Sequence, residues 1–176
     1  MIKVYLANRP PLVEYLNIQV IDHLGAGEIK RIARETGNHW RKIFNVYAKL
    51  IYCFAEMSHL PLFQQYPSWQ DYRDQSLLQQ GSNTELHLDC SALCLESSKS
   101  VNSEDTVHII MGKLFSEQLL VDISVEWLDD DFAINRQHSI IVCPYFDYRQ
   151  LSNIKIERLA KLVGALQTTN HVEALL

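Results

Sequence analysis

Two near-continuous apolar runs organise the hydrophobic pattern of this chain, Val107-His108-Ile109-Ile110-Met111 and Ser139-Ile140-Ile141-Val142-Cys143. Each stops at turn residues, Gly112-Lys113 after the first and Pro144 after the second, and each then runs into a segment of helical period. Short apolar runs bounded in this way mark strands covered on both faces. The pattern therefore predicts a three-layer α/β domain with a mainly parallel central sheet containing residues 107–111 and 139–143. In such sheets ligands collect outside the carboxyl ends of the strands, so the Gly112-Lys113 turn and the polar loop over 144–153 are expected to share one rim.

The remaining pattern fills in the layers. Residues 3–7 are a short strand signal closed by Asn8-Arg9-Pro10-Pro11, where two prolines remove backbone donors; an edge position suits it. Gly25-Ala26-Gly27 precedes a short helix over 28–35. A longer one follows Gly37, with Trp40, Ile43, Phe44, Tyr47, Leu50, Ile51 and Phe54 on one face, Asn38 as N-cap and Pro61 beyond its end. That aromatic stripe reads as core, because burial of large side chains is what stabilises a helix in a small domain. Ser68-Trp69-Gln70-Asp71 resembles a capping box. Residues 84–90 alternate as a half-exposed strand, with Leu86, Leu88 and Cys90 on one face and Glu85, His87 and Asp89 on the other. Residues 97–105 form a Ser-rich loop, expected to be mobile. A short helix over 113–120, an alternating strand over 121–127 and an acidic turn at 129–131 follow. The last helix is specified by Ser152 as N-cap and by Leu151 and Ile156 as a hydrophobic staple.

At 176 residues and 47% hydrophobic composition, the chain suits one domain over 1–176. A net charge of -5 argues against a protein that coats nucleic acid, which needs a dense basic surface, although a local basic patch is compatible with it. The N-terminus lacks the apolar core of a signal peptide and no run approaches the roughly 18 apolar residues of a spanning helix. A cytoplasmic protein that does not enter the membrane is expected. Its four cysteines then read as reduced thiols.

Candidate chemistry concentrates in Pro144-Tyr145-Phe146-Asp147-Tyr148-Arg149-Gln150, between a buried strand and a helix N-terminus. Arg149 suits bidentate contact with a phosphate or carboxylate, the N–H groups after Ser152 and Asn153 favour an anion, and Tyr145 or Tyr148 suits stacking on a ring. The competing reading is an ordered loop in which Arg149 pairs with Asp147 or a carbonyl, with the tyrosines half-buried. The expected partner is a small anionic or nucleotide-like ligand, with Gly112, Lys113, Tyr145, Asp147, Tyr148, Arg149, Ser152 and Asn153 as ligand-binding candidates. Gly112-Lys113 lacks the remainder of a phosphate loop, which makes a tight turn with a solvated lysine the alternative there. His87, Cys90 and Cys94 have metal-ligand spacing, but a strand turns His87 and Cys90 to opposite faces, so no metal and no cofactor are expected. Asp129-Asp130-Asp131 lacks the glycine and distal glutamate of a calcium loop. Neither a G-x-S-x-G elbow nor a C-x-x-C motif is present, and Cys143 beside Pro144 is either a candidate nucleophile or a buried thiol.

From residue 107 onward the order of features resembles the C-terminal half of the uracil-DNA glycosylase superfamily: Ile109-Ile110-Met111-Gly112-Lys113, a helix, then Ile141-Val142-Cys143-Pro144 leading through Leu151-Ser152-Asn153 into the last helix. The resemblance covers about sixty residues. It implies a glycosylase-like sheet and, as an alternative to a binding module, a divergent nucleic-acid base hydrolase with Asp89 as acid or base. Cys143 stands where that superfamily has histidine, and its Gly-x-Asp-Pro-Tyr and Gly-x-Asn-Pro motifs are absent, which argues against the activity. The whole chain also resembles small uncharacterised bacterial protein families.

Overall fold

Tyr47, in the middle of the long aromatic helix, is fully buried and its hydroxyl donates to the carbonyls of Ile2 and Glu85, at 2.9 and 3.1 Å. One side chain thus fastens the helix to two adjacent strands, and the rest of the fold is arranged around that junction. The computed structural model describes residues 1–89 and 106–173. Its strands are β1 (Ile2–Leu6), β2 (Val20–Ile21), β3 (Thr84–Leu88), β4 (Val107–Met111), β5 (Glu126–Trp127), β6 (Ala133–Asn135) and β7 (Ile140–Cys143). Its α-helices are α1 (Glu28–Thr36), α2 (Asn38–Met57), α3 (Leu62–Gln65), α4 (Trp69–Gln75), α5 (Lys113–Leu119) and α6 (Asn153–Glu173).

The strands form one sheet in the order β2-β3-β1-β4-β7-β6-β5. The four central strands β3, β1, β4 and β7 are parallel, with His108 opposite Ile140 and Met111 opposite Cys143, as the two apolar runs predict. Both edges are antiparallel. Ile2, Val4, Leu6, Leu86, Leu88, Ile109, Met111 and Ile141 face a core built with α1, α2, α4 and α6. Tyr5, Ile110, Ile140 and Val142 face the other way, against Phe115 and Leu119 of α5. Helices therefore lie on both faces of the sheet, and the architecture is α/β.

Several sequence expectations need correction. β1 is central, not an edge strand, because Pro10 and Pro11 fall beyond its last residue and its own N–H groups stay available to two neighbours. Gly37, with φ 78°, occupies the N-cap position of α2 and no side chain caps it; Asn38 is already helical. The strand expected over 121–127 shrinks to Glu126–Trp127, both exposed, since its partner β6 offers only three residues and Ile123 N–H closes a turn onto Leu120. Ser68 does cap α4, its hydroxyl accepting from Asp71 N–H at 3.1 Å. Cys90, Cys94 and the 97–105 loop lie outside the described residues.

Candidate functional site

Beyond the last residue of β1 the chain turns toward helices on one sheet face; beyond β4 it turns into α5 on the other. A change of direction of this kind opens a crevice at the carboxyl ends of the strands. A cavity of about 440 Å³ lies on this rim, lined by Asn8, Arg9, Thr36, His39, Trp40 and Asp89. Asn8 and Arg9 follow β1, Asp89 follows β3, and Thr36, His39 and Trp40 come from the α1–α2 junction.

Tyr145, just past β7, joins this group. Its hydroxyl lies 3.1 Å from His39 Nε2 and accepts from Asn8 Nδ2 at 3.5 Å, while its ring stacks on His39 with centroids 5.6 Å apart. Burial pushes the phenol above its ordinary range, outweighing the Asn8 bond, so the hydroxyl keeps its proton and can donate to His39. Arg9 braces the chain that follows it: its guanidinium donates to the carbonyls of Tyr15, Leu16 and Ile18 and pairs with Asp89 at 3.1 Å. Asp89, at φ 48°, keeps a largely exposed carboxylate on the cavity wall.

The 144–153 loop is fastened to α2 along one helical stripe. Lys42 Nζ lies 2.7 Å from Asp147 Oδ2 and 4.8 Å from the Tyr148 ring, and Lys49 donates to Asn153 Oδ1 at 3.3 Å. Phe146 is buried edge-on to Tyr47. The Lys42 ammonium, followed by the Arg149 backbone N–H at 3.0 Å, holds the Asp147 carboxyl below the usual carboxylate range. Arg149 is solvent-exposed and does not take the bracing role that the Arg149–Asp147 reading gives it; Lys42 does. Ser152 and Asn153 are exposed at the start of α6.

Gly112 does share the rim, since its N–H donates to the Cys143 carbonyl at 2.8 Å, and its φ of 92° is a conformation that favours glycine. Lys113 turns instead to the Trp127 ring, 4.6 Å from its centroid. Cys143 is buried and its thiol is pushed up by that burial, which leaves it without thiolate character as a nucleophile. Of the sequence candidates, then, Asp89 lines the cavity and Tyr145 contacts two of its lining residues, Asn8 and His39, whereas Asp147, Tyr148 and Asn153 serve the loop's attachment to α2. Asn8, Arg9 and His39 were missed. The available signal was the polar Asn8-Arg9 directly after a strand, the position where a parallel sheet presents its ligands.

A second polar group occupies the α5 face of the sheet. Glu85 pairs with Lys3 at 3.2 Å and with His87 Nε2 at 2.7 Å; Tyr5 stacks on His87 and its hydroxyl lies 2.8 Å from His108 Nδ1. Burial, reinforced by Lys3 and His87, lowers His108 to about 4, so its imidazole is neutral in its contact with the Tyr5 hydroxyl. Among the described residues no group of three His, Cys, Asp or Glu side chains is placed to hold a metal ion, and no helix is long and apolar enough to cross a membrane.

A family model for a family of unknown function, DUF6942, matches residues 1–164. The chain belongs to DUF6942. The match takes in the whole rim from Asn8 to Asn153, and it agrees with the resemblance to uncharacterised families. No curated protein and no solved structure matches this DUF6942 chain.

Proposed function

We propose that the protein is a cytoplasmic binding or regulatory module, one domain over its length, that takes a small anionic or nucleotide-like ligand at the carboxyl rim of its parallel sheet. The observation that carries the reading is the convergence of Asn8, His39, Asp89 and Tyr145, from four separate segments, on one 440 Å³ cavity or its margin. A cavity of that size suits a ligand of nucleoside dimensions. His39 and Tyr145 offer ring faces, Asn8 offers both donor and acceptor, and Asp89 accepts. The uncapped first turn of the 20-residue α2 opens beside the cavity and favours negative charge. In this reading Arg149 and the exposed α6 start lie at the periphery of the site, with Asp147, Tyr148 and Asn153 holding the loop that presents Tyr145.

The test is thermal melting and calorimetric titration with nucleoside monophosphates and inorganic phosphate. A ligand that raises the wild-type melting temperature, and fails to do so in His39→Ala and Tyr145→Phe, is the expected result. A panel in which no nucleotide stabilises the wild type rejects the reading. The alternative is a divergent base hydrolase of glycosylase-like kind, favoured by the presence of Asp89 on the cavity wall. It requires turnover of uracil-containing DNA above a heat-treated control, abolished by Asp89→Asn.

A further inference from the structure

Away from the rim, a cleft of about 270 Å³ between α1, α2 and α4 is lined by four basic side chains, Lys30, Arg34, Arg41 and Arg73, and by the partly exposed Ala33, with Ile29 and Phe44 buried beneath. In a chain with 16 basic and 21 acidic residues, four cations at one cleft are a strong local reversal of sign. The acids nearby do not balance them. Asp74 is shared by Lys30 at 3.0 Å and Arg73 at 2.8 Å, and Glu35 meets Arg34 at 3.5 Å while also pairing with Arg31 at 2.9 Å. No ion pair to Arg41 is present among the described residues.

Arg41 is also set against its own helix. It is the fourth residue of α2, whose first turn carries no acid, so the helix dipole disfavours a cation there. Its neighbour Lys42 is compensated by Asp147; Arg41 has no such compensation. A side chain that departs from local electrostatic preference without a gain in the folded chain marks a place to look for a ligand. The cleft is just below the roughly 300 Å³ at which pockets for drug-sized ligands begin, which limits the occupant to one anionic group with a small apolar body.

We propose that this cleft binds a small phosphomonoester, its phosphoryl group held by Arg34 and Arg41 and its apolar body resting on the partly exposed Ala33 and the methylene stems of the surrounding basic side chains. Guanidinium groups suit the phosphoryl oxygens by paired, charge-assisted hydrogen bonds. The site is separate from the rim and does not depend on its reading.

Phenyl phosphate is the probe, titrated into the full chain by calorimetry and by amide chemical-shift mapping. Saturable binding is expected, with shifts centred on α1 and the first half of α2, and inorganic phosphate at least about tenfold weaker for want of the apolar contact. Arg34→Gln and Arg41→Gln, both at exposed positions and checked by circular dichroism, should each weaken phenyl phosphate about tenfold or more. Tyr145→Phe should leave it unchanged. Equal binding by the double Arg34→Gln, Arg41→Gln variant and wild type would overturn the proposal, as would equal affinity for inorganic phosphate or loss of binding in Tyr145→Phe. A single-stranded oligonucleotide that binds through the same arginines while phenyl phosphate does not would overturn it in favour of a nucleic-acid backbone.

Discussion

Lys42 and Asp147 stand 105 positions apart in sequence and 2.7 Å apart in space, and their ion pair joins α2 to the loop that follows β7. Both side chains are mostly buried, so solvent screens the pair less than it would a surface pair. Lys42→Ala and Asp147→Ala should each lower stability by about 1 kcal/mol, or about 2 to 4 °C in melting temperature for a chain of this length. The double variant should be little worse than either single one. Arg149→Ala should leave the melting temperature unchanged, and additive losses in the double variant would show that the pair is not coupled.

His108 gives stability a pH dependence with a definite sign. Its folded value of about 4 lies below the ordinary histidine value, so between those two the unfolded chain binds more protons and stability falls as pH falls. The groups facing it are Lys3, His87 and His138, which oppose its protonation, Glu85, which favours it, and the Tyr5 hydroxyl. Urea midpoints should drop between pH 7 and 5, with His108 supplying up to about 2 kcal/mol. In His108→Gln the drop should be shallower. A variant that keeps the full wild-type slope would assign the dependence to other groups.

Tyr47→Phe tests the junction between helix and sheet. The substitution keeps the ring that packs on Phe146 and removes the hydroxyl that serves the Ile2 and Glu85 carbonyls. A loss of about 1 to 2 kcal/mol is expected from denaturant titration. Amide exchange should quicken in β1 and β3 before β7. Uniform quickening across the sheet would mean that the hydroxyl has no local role.

The parallel centre was legible because β4 and β7 are covered on both faces, and such strands write continuous apolar runs. The aromatic face of α2 was legible for the same reason: Trp40, Ile43, Phe44, Tyr47, Leu50, Ile51 and Phe54 are all buried. Edges were not. β2 and β5 have two residues each and β6 has three, too few for any period to show. At the rim, Tyr145 was singled out because it follows a strand signal and Asp89 through the glycosylase resemblance, whereas His39 sits in a helix start where one polar residue carries no pattern. The attachment of Asp147 to Lys42 was illegible for a different reason: it is a contact between segments more than a hundred residues apart, and only the fold creates it.

Cys143 lies at the end of β7, buried in the core between the sheet and its helices, and burial keeps its thiol protonated. Alkylating reagents need a thiolate they can reach, so in the closed protein this sulfur is silent and its labelling must wait for the loop or the sheet to open. The sulfur therefore reports on opening of the core at the end of β7, next to the residues that lead to Tyr145. With Cys53, Cys90 and Cys94 replaced by serine, the rate of Cys143 modification counts opening events directly, and a ligand that settles on Tyr145 and His39 should slow that rate in proportion to the occupied fraction.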